Sequence, residues 1–148
     1  MEKEKIVVDA SIVAKWYLEE EFSAQATELR DAFGTGKVTI LAPSLLYYET
    51  LNALRYSGVY SEEELMMVGG ALSLYGLKVM EPNKEMLEKI AQISISRDIT
   101  VYDASYVVLA NLADATLYTT DAEILGKFPG RTRHIKEFKS ENPATPSP

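Results

Sequence analysis

The stretch Ile6-Val7-Val8-Asp9-Ala10-Ser11 determines how the rest of the chain can be arranged. Its three β-branched apolar residues predict a short buried strand. A carboxylate, Asp9, stands where the chain must leave that strand. In open α/β sheets, ligands bind just outside the carboxyl ends of the strands. Asp9 is therefore either a residue that caps the following helix or the first member of a functional site.

Predicted strands and helices alternate along the chain. The strands are predicted at 6–8, 38–42, 77–80, 115–119 and 132–135, with 99–101 extended. The helices are predicted at 11–20, 23–33 with Ser23 as its cap, 44–56, 61–74, 84–97, 102–112 and 121–128. Strands that are separated by helices imply βα crossovers, so the pattern predicts a largely parallel sheet with helices on both faces.

Composition limits the chemistry that the protein can perform. The chain has 148 residues, a length that predicts one domain with a real hydrophobic core. It has no cysteine and a single histidine, His134, which excludes thiolate sites and argues against His-rich metal sites and a Ser-His-Asp triad. Any catalysis must therefore use carboxylates, hydroxyls, amines or a bound metal ion.

The charge and the two termini suggest where the protein acts. A net charge of -7 disfavours direct binding of nucleic-acid phosphates, but an enzyme can still meet phosphates through bound cations. No signal peptide is recognisable, and no apolar run approaches the roughly 18 residues of a membrane span, which predicts a cytoplasmic protein. We expect one domain over 1–140 and a Pro-rich, disordered tail over 141–148.

Two of the four carboxylates that draw attention have structural explanations as well as functional ones. Asp9 can be an N-cap. Glu49 shares a helix face with mostly apolar neighbours, and burying an unpaired carboxylate there costs several kcal/mol or forces protonation. An ion pair with Arg55 or Arg97 would remove that cost. Both residues therefore remain open to either interpretation when taken alone.

The other two carboxylates stand at predicted helix starts. Asp103 opens a strongly apolar helix, so an N-cap here would lie deep in the molecule. Asp121 follows the fourth strand, where Thr120 and Glu123 can form a capping box around it. Capping explains each residue singly, but it does not explain why four acids gather at strand ends and central helices.

Together, the four carboxylates predict a metal site. Asp9 and Asp121 follow strands of one parallel sheet, so they lie at the same edge, while Asp103 opens a central helix and Glu49 lies on another helix. Converging carboxylates repel one another and raise each other's pKa unless a cation is present. Mg²⁺ and Mn²⁺ prefer oxygen ligands, and a metal held in this way can activate water and stabilise charge on a phosphodiester.

The order of these motifs resembles the PIN domain. The residues that carry the resemblance are Asp9-Ala10-Ser11, Glu49 within a helix, Tyr102-Asp103-Ala104-Ser105-Tyr106 and Thr119-Thr120-Asp121. The length and the Tyr-Asp-Ala-x-Tyr stretch are similar, more narrowly, to the toxins of VapBC toxin–antitoxin pairs. The resemblance extends from about residue 6 to about residue 135.

The resemblance implies a three-layer α/β/α sandwich, with a parallel sheet of about five strands, and a metal-dependent ribonuclease that uses Mg²⁺ or Mn²⁺. By position in the motifs, Asp9, Glu49 and Asp103 would be the principal metal ligands and Asp121 would complete the cluster. The same comparison assigns Ser11 and Thr119 to hydrogen bonds that support the ligands or their waters.

The resemblance also implies partners, namely an RNA substrate, a small antitoxin protein and a second copy of the chain in a homodimer. Lys15 and Arg97 neighbour the site elements in sequence and are our candidates for contacts with RNA. The main alternative is a catalytically silent PIN fold that acts as a protein-interaction module. A dehalogenase-like phosphohydrolase would need a second Asp where this chain has Ser11, and the acidic pair of a two-component receiver is not evident.

Overall fold

Five parallel strands in the order β3-β2-β1-β4-β5 form the centre of the molecule. The computed structural model describes residues 3–140, so the prediction of a disordered tail over 141–148 lies outside the described residues. The strands are β1 (Glu4–Val8), β2 (Val38–Pro43), β3 (Lys78–Met80), β4 (Thr116–Thr119) and β5 (Thr132–His134). The helices are α1 (Ala10–Ala14), α2 (Ser23–Gly34), α3 (Leu45–Ser57), α4 (Glu62–Leu74), α5 (Lys84–Arg97), α6 (Val101–Ala113) and α7 (Ala122–Lys127), followed by one 3₁₀ turn, Ile135–Glu137.

The first strand is the middle strand of the sheet. Ile6, Val7 and Val8 are fully buried, as the run of β-branched residues predicts. From β1 the chain moves outward to β2 and β3, then returns to add β4 and β5 on the other side. The crevice where the strand order reverses therefore lies between β1 and β4, and in such sheets this crevice is where ligands bind.

Helices cover both faces of the sheet, which confirms the α/β sandwich. Helices α1, α2 and α3 pack against the sheet, with α4 packed on α3. Helix α6 packs against β1, β2 and β4 and carries α5 on its outer side. Right-handed crossovers place these two groups of helices on opposite faces. In residues 3–140 no helix is both long and apolar enough to span a membrane.

The first predicted helix, over 11–20, is much shorter in the structure. Helix α1 ends at Ala14, and the chain continues in turns in which the amides of Trp16 and Tyr17 bond to the carbonyls of Val13 and Ala14. Three successive glutamates at 19–21 follow, and negative charge at a helix C-terminus opposes the helix dipole. A longer helix would place those charges in its last turn.

Two predicted boundaries were wrong for a related reason. Ser23 is not the cap of α2, because its hydroxyl donates to the carbonyl of Leu18 at 2.7 Å; Phe22 takes that position with a left-handed backbone, φ 68°. The stretch 99–101 is not extended throughout, because Thr100 caps α6 and Val101 is its first residue. A side-chain hydrogen bond determined each boundary: that of Ser23 with the Leu18 carbonyl and that of Thr100 with the Asp103 amide.

Candidate active site

A cavity of about 310 Å³ lies at the carboxyl edge of the sheet, beside the ends of β1 and β4. It is lined by Asp9, Ala10, Ser11, Glu49, Asn52, Ala53, Asp103, Tyr106 and Asp121. The structure thus brings all four predicted carboxylates to one cavity, although they come from the end of β1, from α3, from α6 and from the start of α7. Their individual roles stay predictions.

Asp9 is both a helix cap and part of the cavity. It accepts hydrogen bonds from the Ser11 amide at 3.1 Å, from the Ser11 hydroxyl at 2.5 Å and from the Thr119 hydroxyl. Its side chain is buried, and this burial raises its pKa to about 6, against the lowering effect of those hydrogen bonds. The negative charge of Asp121 raises the pKa of Asp9 further. The capping role therefore coexists with an electrostatically unfavourable position.

Thr119 and Ser11 connect the ends of the two central strands. Val8 pairs with Tyr118, so the next residues, Asp9 and Thr119, face each other across the crevice. The Thr119 hydroxyl donates to Asp9 and accepts from the amide of Asp121 at 3.0 Å. The Ser11 hydroxyl accepts from the amide of Thr120 at 3.4 Å. Each hydroxyl therefore orients Asp9 and also holds the loop that carries Asp121.

Asp103 lies in the first turn of α6 and is not its cap. Thr100 caps the helix, and its hydroxyl accepts a hydrogen bond from the Asp103 amide at 3.0 Å. The carboxylate of Asp103 is therefore not needed as the helix cap. Burial raises the pKa of Asp103, and the negative charges of Asp121 and Glu49 raise it further. Asp103 thus has a real excess of negative charge around it.

Asp121 is itself the N-cap of α7. Its Oδ1 accepts from the amides of Glu123 at 2.8 Å and Ile124 at 3.2 Å. The predicted capping box of Thr120 and Glu123 was therefore wrong, because the chain turns into the helix one residue later than that motif requires. The cap holds the carboxylate at the edge of the cavity.

Glu49 accepts a hydrogen bond from the hydroxyl of Tyr106 at 2.6 Å. The predicted alternative, an ion pair with Arg55 or Arg97, is wrong: within residues 3–140 neither arginine pairs with it, Arg55 lies over the ring of Tyr56 and Arg97 over the ring of Phe128. From the sequence, Tyr106 was named only as part of the PIN-like motif and was not predicted to be a site residue. Its position three residues after Asp103, on the same helix face, was the signal that it also reaches the cavity.

The two candidate RNA-binding cations are placed differently. Lys15 lines the groove next to the cavity together with Ser11 and Thr120, and its ammonium lies 2.9 Å from the carboxylate of Glu20. Arg97 donates to the carbonyl of Lys127, at the far end of α7, and does not line the cavity. Only Lys15 adjoins the cluster of carboxylates.

The side chains that line the cavity fit a hard divalent cation by their chemistry. Carboxylates, hydroxyls and an amide supply oxygen ligands, and among residues 3–140 no lysine or arginine lines the cavity to neutralise them. Within the described part of the chain, no three acidic or histidine side chains are close enough together to bind one ion as a group. The arrangement therefore suits an ion that takes one or two carboxylates and keeps several waters, which is how proteins usually bind Mg²⁺.

The comparisons with known proteins agree with the fold and with the motifs. The PIN domain model matches residues 6–128, and this chain belongs to the PIN domain family. Ribonuclease VapC3 of Pyrobaculum aerophilum is 32% identical over 129 residues, which are 84% of this chain and 95% of that protein.

Solved structures share the fold at lower identity. Mycobacterium tuberculosis VapC20, described as a Sarcin-Ricin loop cleaving toxin, superposes with a TM-score of 0.65 at 14% identity, covering 82% of this chain and 93% of that chain. A toxin-antitoxin complex from Klebsiella pneumoniae gives a TM-score of 0.65 at 13% identity, covering 90% and 99% of the two chains. These two similarities establish the PIN-like architecture.

Proposed function

We propose that this protein is a metal-dependent endoribonuclease and the toxin of a type II toxin–antitoxin pair. The observation that carries the proposal is a cavity, at the switch point of the sheet, that the described residues line with four carboxylates and with no cationic side chain. The sequence similarity between this chain and a protein named Ribonuclease VapC3 supports RNA as the substrate. Four carboxylates without a cation are unfavourable, so a site of this kind is useful to the protein only when it binds one.

Asp9, Glu49 and Asp103 are the proposed ligands of Mg²⁺ or Mn²⁺, one or two of them directly and the rest through waters of the ion, and Asp121 completes the set directly or through water. When bound, the metal supplies an activated water and stabilises negative charge on the phosphodiester. Ser11 and Thr119 hold Asp9 in a single orientation through their hydroxyl groups. Asp9 and Thr119 are buried, so the hydrogen bond between them is little weakened by water.

Addition of Mn²⁺ is expected to convert the purified, antitoxin-free protein into an active ribonuclease. The test is incubation with a panel of structured and single-stranded RNAs, once with Mn²⁺ and once with a chelator, followed by analysis of the fragments. We expect internal cleavage with Mn²⁺ and intact RNA with the chelator. A panel left intact under both conditions would contradict the proposed activity on those substrates.

Lys15 is the proposed phosphate contact, and Glu20 competes with the substrate for it. Lys15→Ala is expected to raise the KM for RNA about 10–100-fold, because a hydrogen bond to a charged group contributes about 1.5–3 kcal/mol. Glu20→Gln is expected to lower the KM about 2–5-fold, since a partly exposed pair contributes only about 0.2–1 kcal/mol. Lys89→Ala, on the surface of α5, is the control.

The measurement for these variants is initial cleavage rate against RNA concentration at two salt concentrations. A phosphate contact also predicts a smaller salt dependence for Lys15→Ala than for the wild type. An unchanged KM in Lys15→Ala would remove this residue from the proposed site. A bound strand that runs past α7 would also meet Arg97, our second candidate.

The proposed protein partners need apolar surface, and two helix pairs provide it. Exposed apolar side chains on α3, α4 and their connection are Tyr48, Tyr56, Val59, Met66, Met67 and Leu74, and those on α5 and α6 are Leu87, Ile95, Val101, Tyr102 and Leu112. Exposed apolar groups in such number mark interaction surfaces. They support an antitoxin and a second copy of the chain as partners, and RNA as substrate fits the cytoplasm that the sequence predicts.

A further inference from the structure

We propose that Tyr106 is a positioning residue, whose phenol holds the Glu49 carboxylate in the orientation that binds the metal. The inference rests on the proposed nuclease function and adds a residue to its machinery. Its basis is a hydrogen bond of 2.6 Å between the Tyr106 hydroxyl and Glu49 Oε1, which joins helix α6 to helix α3. The hydrogen bond occupies Oε1, so Oε2 can bind an ion.

Glu49 needs such a partner more than Asp9 and Asp121 do. Asp9 is held by Ser11 and Thr119, and Asp121 is held by the amides at the start of α7. Glutamate has a longer side chain than aspartate, and ordering it costs more conformational entropy. In the described part of the chain, the hydrogen bond from Tyr106 is the contact that restrains the carboxylate of Glu49.

A phenol suits this task better than a cationic side chain would. A lysine or an arginine would also hold Glu49, but its positive charge would compete with the metal ion for the carboxylate. A neutral donor leaves the full negative charge of Glu49 available. The ring of Tyr106 is 1% exposed and belongs to the main hydrophobic core, so its position is determined by packing.

Helix α6 positions two of the proposed metal ligands at once. Asp103 and Tyr106 are three residues apart on α6 and share one face. Helix α6 therefore provides one proposed ligand from its own first turn and, through Tyr106, sets the position of a second ligand on α3. Partners of metal ligands in this role typically change metal affinity or activity about 10–100-fold when they are removed.

The test is Mn²⁺ affinity measured by titration calorimetry on the full chain. Tyr106→Phe removes the hydroxyl and keeps the buried ring, and we expect its Kd for Mn²⁺ to rise at least about 10-fold. Tyr102→Phe is the matched control, because it makes the same change on the same helix at a side chain that is 60% exposed. Its Kd should equal that of the wild type.

A double-mutant cycle shows whether Tyr106 acts through Glu49. In a Glu49→Gln background, Tyr106→Phe should change the Kd no further. The melting temperature in chelator is measured in parallel, because a purely structural role would lower it and leave the Kd unchanged. If Tyr106→Phe fails to fold, Tyr106→Leu is used instead, since it also removes the hydroxyl and keeps an apolar side chain in the core, and the Kd for Mn²⁺ should rise by a similar factor.

The outcomes separate this inference from the proposed function. If the wild type binds Mn²⁺ and Tyr106→Phe binds it equally well, the positioning role is refuted and the nuclease function stands. An additive loss in the Glu49→Gln background would also refute it, because Tyr106 would then act by another route. If the wild type binds no Mn²⁺, the metal-dependent function fails and the role of Tyr106 fails with it.

Discussion

Asp103→Asn is expected to abolish metal-dependent RNA cleavage, with a fall in kcat on the order of 10²–10³-fold or more, the cost of losing one preorganised electrostatic group. The amide has nearly the shape of the carboxylate but lacks the charge that binds the cation. Burial raises the pKa of Asp103, and the negative charges of Asp121 and Glu49 raise it further, so a cation is favoured beside it.

The fold should tolerate this change. The backbone amide of Asp103 donates a hydrogen bond to the Thr100 hydroxyl, and this bond does not depend on the side chain at position 103. The melting temperature in chelator should therefore stay close to that of the wild type, while the stabilisation by Mn²⁺ should shrink, since a ligand stabilises only the folded protein that binds it. Cleavage assays and thermal melts with and without Mn²⁺ measure both effects.

Glu123→Gln is the matched control for Asp103→Asn. Glu123 also lies in the first turn of a helix and is close enough for its charge to raise the pKa of Asp103, but it does not line the cavity. It should retain cleavage. If Asp103→Asn kept its Mn²⁺ stabilisation and the wild type cleaved nothing, a catalytically silent interaction module would be the better description of this protein.

Asp9→Asn is expected to stabilise the metal-free protein at neutral pH and to eliminate cleavage at the same time. Burial raises the pKa of Asp9 from the ordinary 3.8 to about 6, so the folded chain holds an ionised group in an unfavourable place. That difference in pKa corresponds to about 3 kcal/mol, an upper limit because the amide accepts weaker hydrogen bonds. Asparagine remains a good N-cap, so α1 is retained.

The pH dependence has a definite sign. Because the pKa of Asp9 is higher in the folded state, its contribution to stability is fully present below pH 3.8 and is lost as the pH rises through about 6. The melting temperature of Asp9→Asn in chelator should therefore exceed that of the wild type increasingly between these two values, and by a constant amount above them. At about 2–4 °C per kcal/mol for this size, the gain is several degrees.

Thermal melts in chelator across this pH range measure the effect. The same melts with Mn²⁺ show whether the increase in melting temperature that the metal gives the wild type is lost in Asp9→Asn. Asp31→Asn is the control, because it makes the same chemical change at a side chain that is 67% exposed and lies on α2. A melting temperature of Asp9→Asn below that of the wild type at neutral pH would show that the charge of Asp9 is not a burden on the metal-free fold.

Local patterns were sufficient to predict most of the fold. The β-branched run at 6–8 predicted the central strand. Ser61 and Glu64 have the spacing of a capping box, and in the structure they form one, with hydrogen bonds of 3.1 and 2.9 Å. Failures occurred where a distant or unexpected partner decided a boundary. The Ser23 hydroxyl donates to the carbonyl of Leu18 and does not cap the helix. Phe22 has a left-handed backbone conformation that its residue type does not favour.

The candidate site, too, was predictable from the sequence only in its local features. The sequence by itself determined which acids exist and that two of them follow strands of one parallel sheet, because a buried strand and its end are local features. Only the tertiary structure decided that Glu49 is held by Tyr106, 57 residues away, and Asp9 by Thr119, 110 residues away. It also decided that Arg97 is stacked on Phe128. The physical reason is range: propensity, capping and periodicity act within a turn or two, whereas a hydrogen bond between strands or helices depends on how the sheet and its helices pack.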